Sequence, residues 1–220
     1  MDPRFRPSTD SHAPIVLWIV AICSVPEVLF TLLETPLFSM PGARRAALVS
    51  LAFWPQLLTD GWQPVWPGQS IAMFVTYAFL HGGFMHLLFN MLVLIHLGRD
   101  CVARLGDWGF LVLYILSAIG GAVGFVLLSS AAGPMVGASG AVFGLFGATQ
   151  YWDWQQRRAT GAPLGPFWRV MFGLVLMNVI LYVLVGGYLA WQAHLGGYIA
   201  GFLVARLVTP TLRHRARGFR

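Results

Sequence analysis

The sequence predicts an all-α polytopic membrane protein, a bundle of six transmembrane helices with a long interfacial loop between the first and second. Three observations predict it. Of 220 residues, 57% are apolar and only 10% are charged, where a soluble domain carries about 25% charged residues. Mean hydropathy is +0.70. Apolar stretches also recur at spanning length, which is about 20 residues.

In order, the stretches are 14–33, 83–102, 108–128, 139–153, 167–186 and 190–209. The first has no Ala-x-Ala-like cleavage site and continues past Glu27, so it reads as a retained span rather than a signal peptide. The run 71–97 is too long for one upright helix. Gly82-Gly83 offers a break, so the second span starts there, with Ile71–Leu80 as its approach. The fourth stretch is short and needs its polar flanks to complete a crossing. This divides the chain into a tail at 1–13, a membrane domain at 14–209 and a basic tail at 210–220.

The loop between the first two spans carries Pro36, Pro41, Pro55, Pro64 and Pro67 with Trp54, Trp62 and Trp66. Apolar, aromatic and proline residues together suit a segment lying in the membrane interface, with a short amphipathic helix near 43–53. Cys23 falls within a span and Cys101 at a span end, too far apart for a disulfide.

All 14 positive charges are arginine, and their distribution sets the orientation. Arg4, Arg6, Arg99, Arg104, Arg157, Arg158, Arg169, Arg206, Arg213, Arg215, Arg217 and Arg220 fall on one side, and only Arg44 and Arg45 on the other. The positive-inside rule makes both termini cytoplasmic. The basic pI of about 10.0 points to anionic lipid headgroups. No basic run is interleaved with aromatics, so nucleic acid is not an expected partner.

This topology puts His81, His86, Asn90, Ser139, Gln192 and His194 at one level in the outer part of the membrane. Polar side chains at that depth are costly and usually line an interior cavity. Interhelical hydrogen bonding explains one or two such residues, not a layer of them. Ser139 lies between Gly137 and Gly140, where a helix N-terminus would expose unpaired N–H groups. On its own, Gly137-Ala-Ser139-Gly140 reads first as a small-residue packing face. His194 shifts that balance, because a serine nucleophile needs a base in reach. Gly140-x-x-x-Gly144 and Gly197-x-x-x-Gly201 are small-residue faces that permit the necessary approach of two helices. No acidic residue is placed to orient the imidazole, so the sequence argues for a Ser-His dyad rather than a triad.

Phe143, one turn after Ser139, is placed either to hold the His194 ring or to face lipid or core. His86 and Asn90 share a helix face at i, i+4, and both can donate to an oxyanion. Zinc would want three protein ligands and a water. The spacing of His81 and His86 does not put them on one face, and His-Glu-x-x-His is missing, so no metal or other cofactor is expected. His12, His96 and His214 read as structural or solvated.

Together these residues resemble the rhomboid family of intramembrane serine proteases. The likeness rests on His81-Gly-Gly-Phe-Met-His86-Leu-Leu-Phe-Asn90, on Gly137-Ala-Ser139-Gly140, and on Ala193-His194-Leu-Gly-Gly197 followed by Gly201, over roughly 70–205. The resemblance implies a six-helix fold, Ser139 as nucleophile, His194 as general base, and an oxyanion site from the Ser139 N–H with His86 and Asn90. It implies that His81 supports the cavity and its entry loop. It also implies single-span membrane proteins as substrates and partners, cut near the outer face. The expected location is a bacterial inner membrane. Two positions depart from the family pattern. Its Trp-Arg pair in the first loop has no adjacent counterpart among Trp54 and Arg44-Arg45, and its usual tyrosine four residues after the nucleophile is Phe143. The alternative functions are a non-catalytic rhomboid-like protein that binds client helices, and a small transporter. The first usually lacks the serine or the histidine, and the second expects paired charges or an inverted repeat. The sequence names no substrate, cleavage motif or oligomeric state.

Overall fold

The computed structural model describes residues 13–129 and 133–208. The arginines and histidines expected in the two tails lie outside the described residues, Arg206 excepted.

Helix α1 (Pro14–Leu33) starts on a proline, whose missing N–H costs nothing at a helix start. It buries Val16, Ile19, Cys23 and Glu27, a stripe at helical spacing, and leaves Leu17, Trp18 and Ile22 exposed. Three short helices follow: α2 (Ala43–Leu51), α3 (Gln56–Thr59) and α4 (Gln69–Thr76), the last ending in a 3-10 turn over Tyr77–Phe79. The expected amphipathic helix near 43–53 is α2.

The end of α2 explains why the loop holds its shape. A helix leaves its last four carbonyls without intrahelical partners. Here each meets a side chain. The Trp54 indole donates to Leu48 O, the Gln69 amide to Val49 O, the Trp66 indole to Ser50 O and the Thr76 hydroxyl to Leu51 O, at 2.6–3.0 Å. Arg44 ties the other end to α1. Its guanidinium donates to both oxygens of buried Glu27 at 2.7 and 2.9 Å, and also to Glu34 and to the His81 carbonyl. Hydrogen bonding to Glu27 raises the Arg44 pKa above its ordinary value, so this cation stays charged. The fork of a single arginine thus supplies loop contacts that the sequence left open.

Helix α5 (Phe84–Leu128) consists of two helical arms that meet at a kink at Gly106, where φ is +71° and ψ is 175°. A left-handed φ favours glycine, and this one residue separates the two stretches read as the second and third spans. Helices α6 (Ser139–Thr160), α7 (Gly165–Leu184) and α8 (Trp191–Val208) complete the described chain. By length and composition α1, α5 and α7 qualify as membrane-crossing. The protein is an integral, all-helical membrane protein.

The centre of the fold is a seam among α5, α6 and α8 built on absent side chains. A Cβ on Gly197 would land on the Gly140 carbonyl, and one on Gly201 on the Gly144 carbonyl. A Cβ on Gly124 would come 2.6 Å from Gln192 O and 2.9 Å from the Gly196 Cα. Nothing larger than hydrogen fits at these positions. Around the seam, Phe53, Tyr77, Phe110, Leu113 and Tyr114 are fully buried. Cys23 and Cys101 are buried and unpaired.

Candidate active site

Ser139 is the first residue of α6, with Ala138 as its N-cap. The first intrahelical bond runs from Val142 N–H to Ala138 O. The N–H groups of Ser139, Gly140 and Ala141 therefore lack helical acceptors and mark the positive end of the helix dipole. The chain reaches Ser139 along a held path. Phe53 and Met135 exchange two backbone hydrogen bonds of 3.0 and 2.9 Å, and Gly137 N–H donates to Tyr77 O. Ala138 N–H faces His81 Nε2 at 3.4 Å. At Gly137 φ is +122°, and an added Cβ would come 2.7 Å from the His86 ring. Both the torsion and the space demand glycine there.

His194 lies in the first turn of α8 and is buried. Its ring stacks on Phe143 with centroids 4.2 Å apart and planes 4° from parallel. Its Nδ1 lies 2.6 Å from Asn178 Oδ1, on α7. The glycine seam brings the two helices together at this level: a Cβ on Gly140 would sit 3.6 Å from Ala193 O. Ser139 and His194 are thus the immediate neighbours of one helix contact.

His86 and Asn90 are on the first two turns of α5. Gly82 N–H donates to His86 Nδ1 at 3.3 Å. That nitrogen is therefore the acceptor and Nε2 carries the proton. The same Nε2 would lie 2.8 Å from a Cβ on Gly137, itself 3.8 Å from Ser139 Oγ. Asn90 Nδ2 donates one hydrogen to His86 O at 2.9 Å and retains a second. This bond stays within α5 and is no link between helices. His81 and His86 approach edge to face at 5.3 Å. Among the described residues, no three His, Cys, Asp or Glu side chains converge as metal ligands do.

A family model, the Rhomboid domain, matches residues 68–211. The chain belongs to the rhomboid family. Among curated relatives, Rhomboid-like protease 1 of Toxoplasma gondii is 31% identical over 91% of this chain and 62% of its own length. RHOMBOID-like protein 5 of Arabidopsis thaliana is 32% identical over 59% of this chain and 41% of its own. Putative rhomboid protease YdcA of Bacillus subtilis is 32% identical over 64% and 69%. The chain therefore spans less than two thirds of the first two relatives.

In this rhomboid chain the residues singled out from sequence fall into one region. Ser139, His194, Phe143, His86, His81 and Gly137 gather at the N-terminal end of α6, Asn90 lies one turn beyond His86 on α5, and Gly140, Gly197 and Gly201 form the α6–α8 contact. The sequence missed Asn178. It is a lone amide in an apolar stretch, and its partner is sixteen residues away on another helix. The sequence placed no acidic residue at the imidazole; the group that faces Nδ1 is an amide rather than a carboxylate. The only sequence signal was an asparagine where a span has little use for one.

Proposed function

We propose that this protein is an intramembrane serine protease that hydrolyses peptide bonds in or near the transmembrane segments of single-span membrane proteins. The observation that carries the reading is the His194 ring, stacked and hydrogen-bonded beside the N-terminus of α6 where Ser139 begins the helix. Its membership of the rhomboid family and relatives named rhomboid proteases support it.

In this mechanism His194 Nε2 takes the Ser139 hydroxyl proton as Oγ attacks the scissile carbonyl carbon. The oxyanion that forms is met by the Ser139 N–H, His86 Nε2–H and the free Asn90 N–H. The imidazolium then protonates the departing amine, and water completes hydrolysis of the acyl-enzyme by the reverse sequence. His81 holds the backbone just before the nucleophile.

Six crossings follow if the two arms of α5 and helices α6 and α8 each span once. The arginine asymmetry then supports cytoplasmic termini in a bacterial inner membrane, with the 34–70 loop outside. Cysteine accessibility at loop and tail positions tests this.

The decisive experiment incubates the purified protein in liposomes with a panel of single-span reporter proteins. The wild type should cut at least one. Ser139→Ala should cut none while keeping its thermal stability. Equal cleavage by the variant would overturn the assignment of Ser139.

A further inference from the structure

We propose that Asn178 is a positioning residue that locks His194 in the tautomer carrying its proton on Nδ1, leaving the Nε2 lone pair for Ser139. This rests on the reading of His194 as the base and adds a third member, from α7, to the pair.

The amide's orientation is settled by its other contact. Asn178 Nδ2 lies 2.8 Å from the Leu174 carbonyl, one turn earlier on α7. A carbonyl accepts only, so the group facing it is the NH2. The group facing His194 is then Oδ1, at 2.6 Å. An amide oxygen also accepts only, so His194 Nδ1 must be the donor and hold the proton. In a neutral imidazole the other nitrogen is then a free acceptor. A base needs that form, and the opposite tautomer would present an N–H to the serine hydroxyl.

The surroundings make the bond the ring's sole polar anchor on that side. A cavity of about 420 Å³ lies between α7 and α8. Of its lining, only His194, Asn178 and the Tyr182, Trp191 and Tyr198 rings carry polar atoms, and the rest is apolar. The Tyr198 hydroxyl is turned to Met171 Sδ, at 2.9 Å. In so apolar a cavity a hydrogen bond is stronger than in water, and a lone Nδ1–H would be costly. Phe143 meets the ring face and Asn178 its edge, so rotation and tautomer are fixed by different helices.

The test compares Asn178→Leu, which keeps volume and removes the acceptor, with Asn178→Asp, which keeps an acceptor oxygen at the same place. With 15N-labelled histidine, the ring chemical shifts report which nitrogen of His194 carries the proton, whether or not a substrate is known. Wild type and Asn178→Asp should show Nδ1 as the proton-bearing nitrogen, and Asn178→Leu a mixture. On a cleaved reporter, Asn178→Leu should lose at least about tenfold in kcat with KM within about twofold, part of the 10²–10⁴-fold that a positioned base supplies. Asn178→Asp should recover most of that loss. A purely structural role would instead lower thermal stability and leave turnover per folded molecule intact. The inference is overturned if Asn178→Leu keeps the wild-type tautomer, or if it turns over like wild type while Ser139→Ala is dead. A wild type that cuts nothing, with the tautomer shift still present, would overturn the protease reading and leave the positioning contact standing.

Discussion

Helices α7 and α8 flank the same histidine and are held in opposite ways. Helix α8 buries Ala193, His194, Gly197, Gly201 and Ala205 against its neighbours, and three of its glycines touch backbone directly. Helix α7 buries only Phe167, and Val175, Val179 and Val183 stand exposed. Both sequences are strongly apolar, so composition does not separate them. The difference lies in where glycine falls. On α8 the small residues Ala193, Gly197, Gly201 and Ala205 repeat every four residues, and the glycines let backbone meet backbone. On α7, Gly173 faces open space. One helix carries His194 from a rigid seam, and the other meets its ring with a single amide.

The largest effect should come from adding one methyl to the rigid helix. Gly197→Ala drives a Cβ into the Gly140 carbonyl, which helices can relieve only by moving apart. We expect a loss of about 3 kcal/mol or more, the upper range for overpacking, seen as a large fall in melting temperature in detergent. Near-normal melting would break the comparison.

Next is Arg44→Ala, which strips buried Glu27 of its partner on a third helix, α1. Breaking a buried pair costs about 3–5 kcal/mol. Arg44 is 23% exposed, so solvent screening reduces the expectation to about 1–3 kcal/mol. A thermal-melt double-mutant cycle with Glu27→Gln should recover a coupling of that size. Additive losses would show that the ion pair does not hold the loop.

Smaller still is Phe143→Leu. It keeps the helix packed but removes the ring stacked on His194. Aromatic pairs are worth about 0.5–1.5 kcal/mol beyond burial, so kcat should fall about two- to tenfold with little change in melting. An unchanged kcat would leave Asn178 as the ring's only important restraint.

The smallest effect should come from Gly173→Ala, the same methyl on the loosely held helix. No atom lies within 4 Å of the new Cβ. Alanine's helix propensity should make the variant neutral or up to about 1 kcal/mol more stable. A clear loss of stability would mean that α7 has a tight neighbour on that face.

Much of this was legible in the sequence because the signals were local. The limits 14–33 coincide with α1, the gap expected between 102 and 108 contains the kink at Gly106, and α6 begins at Ser139, the first residue of the expected fourth stretch. The α6–α8 contact was legible because small residues at i, i+4 can only be meant for close approach. What stayed hidden depends on pairing across the chain. The exchange between Phe53 and Met135 is made by backbone atoms, which leave no mark on residue identity. Arg44 and Glu27 are seventeen residues apart with no period linking them. Asn178 and His194 are sixteen residues apart on different helices, with no motif linking them.

The two contacts on the His194 ring come from different helices, and their order along the chain is also their order of synthesis. A ribosome that has reached residue 150 has made His86, Asn90, Ser139 and the Phe143 ring, but not His194. The amide on α7 comes next, and His194 only with α8. On the proposed mechanism a nascent chain is therefore chemically silent through most of its insertion. The proposed base arrives only after the Phe143 and Asn178 side chains that confine it have been made.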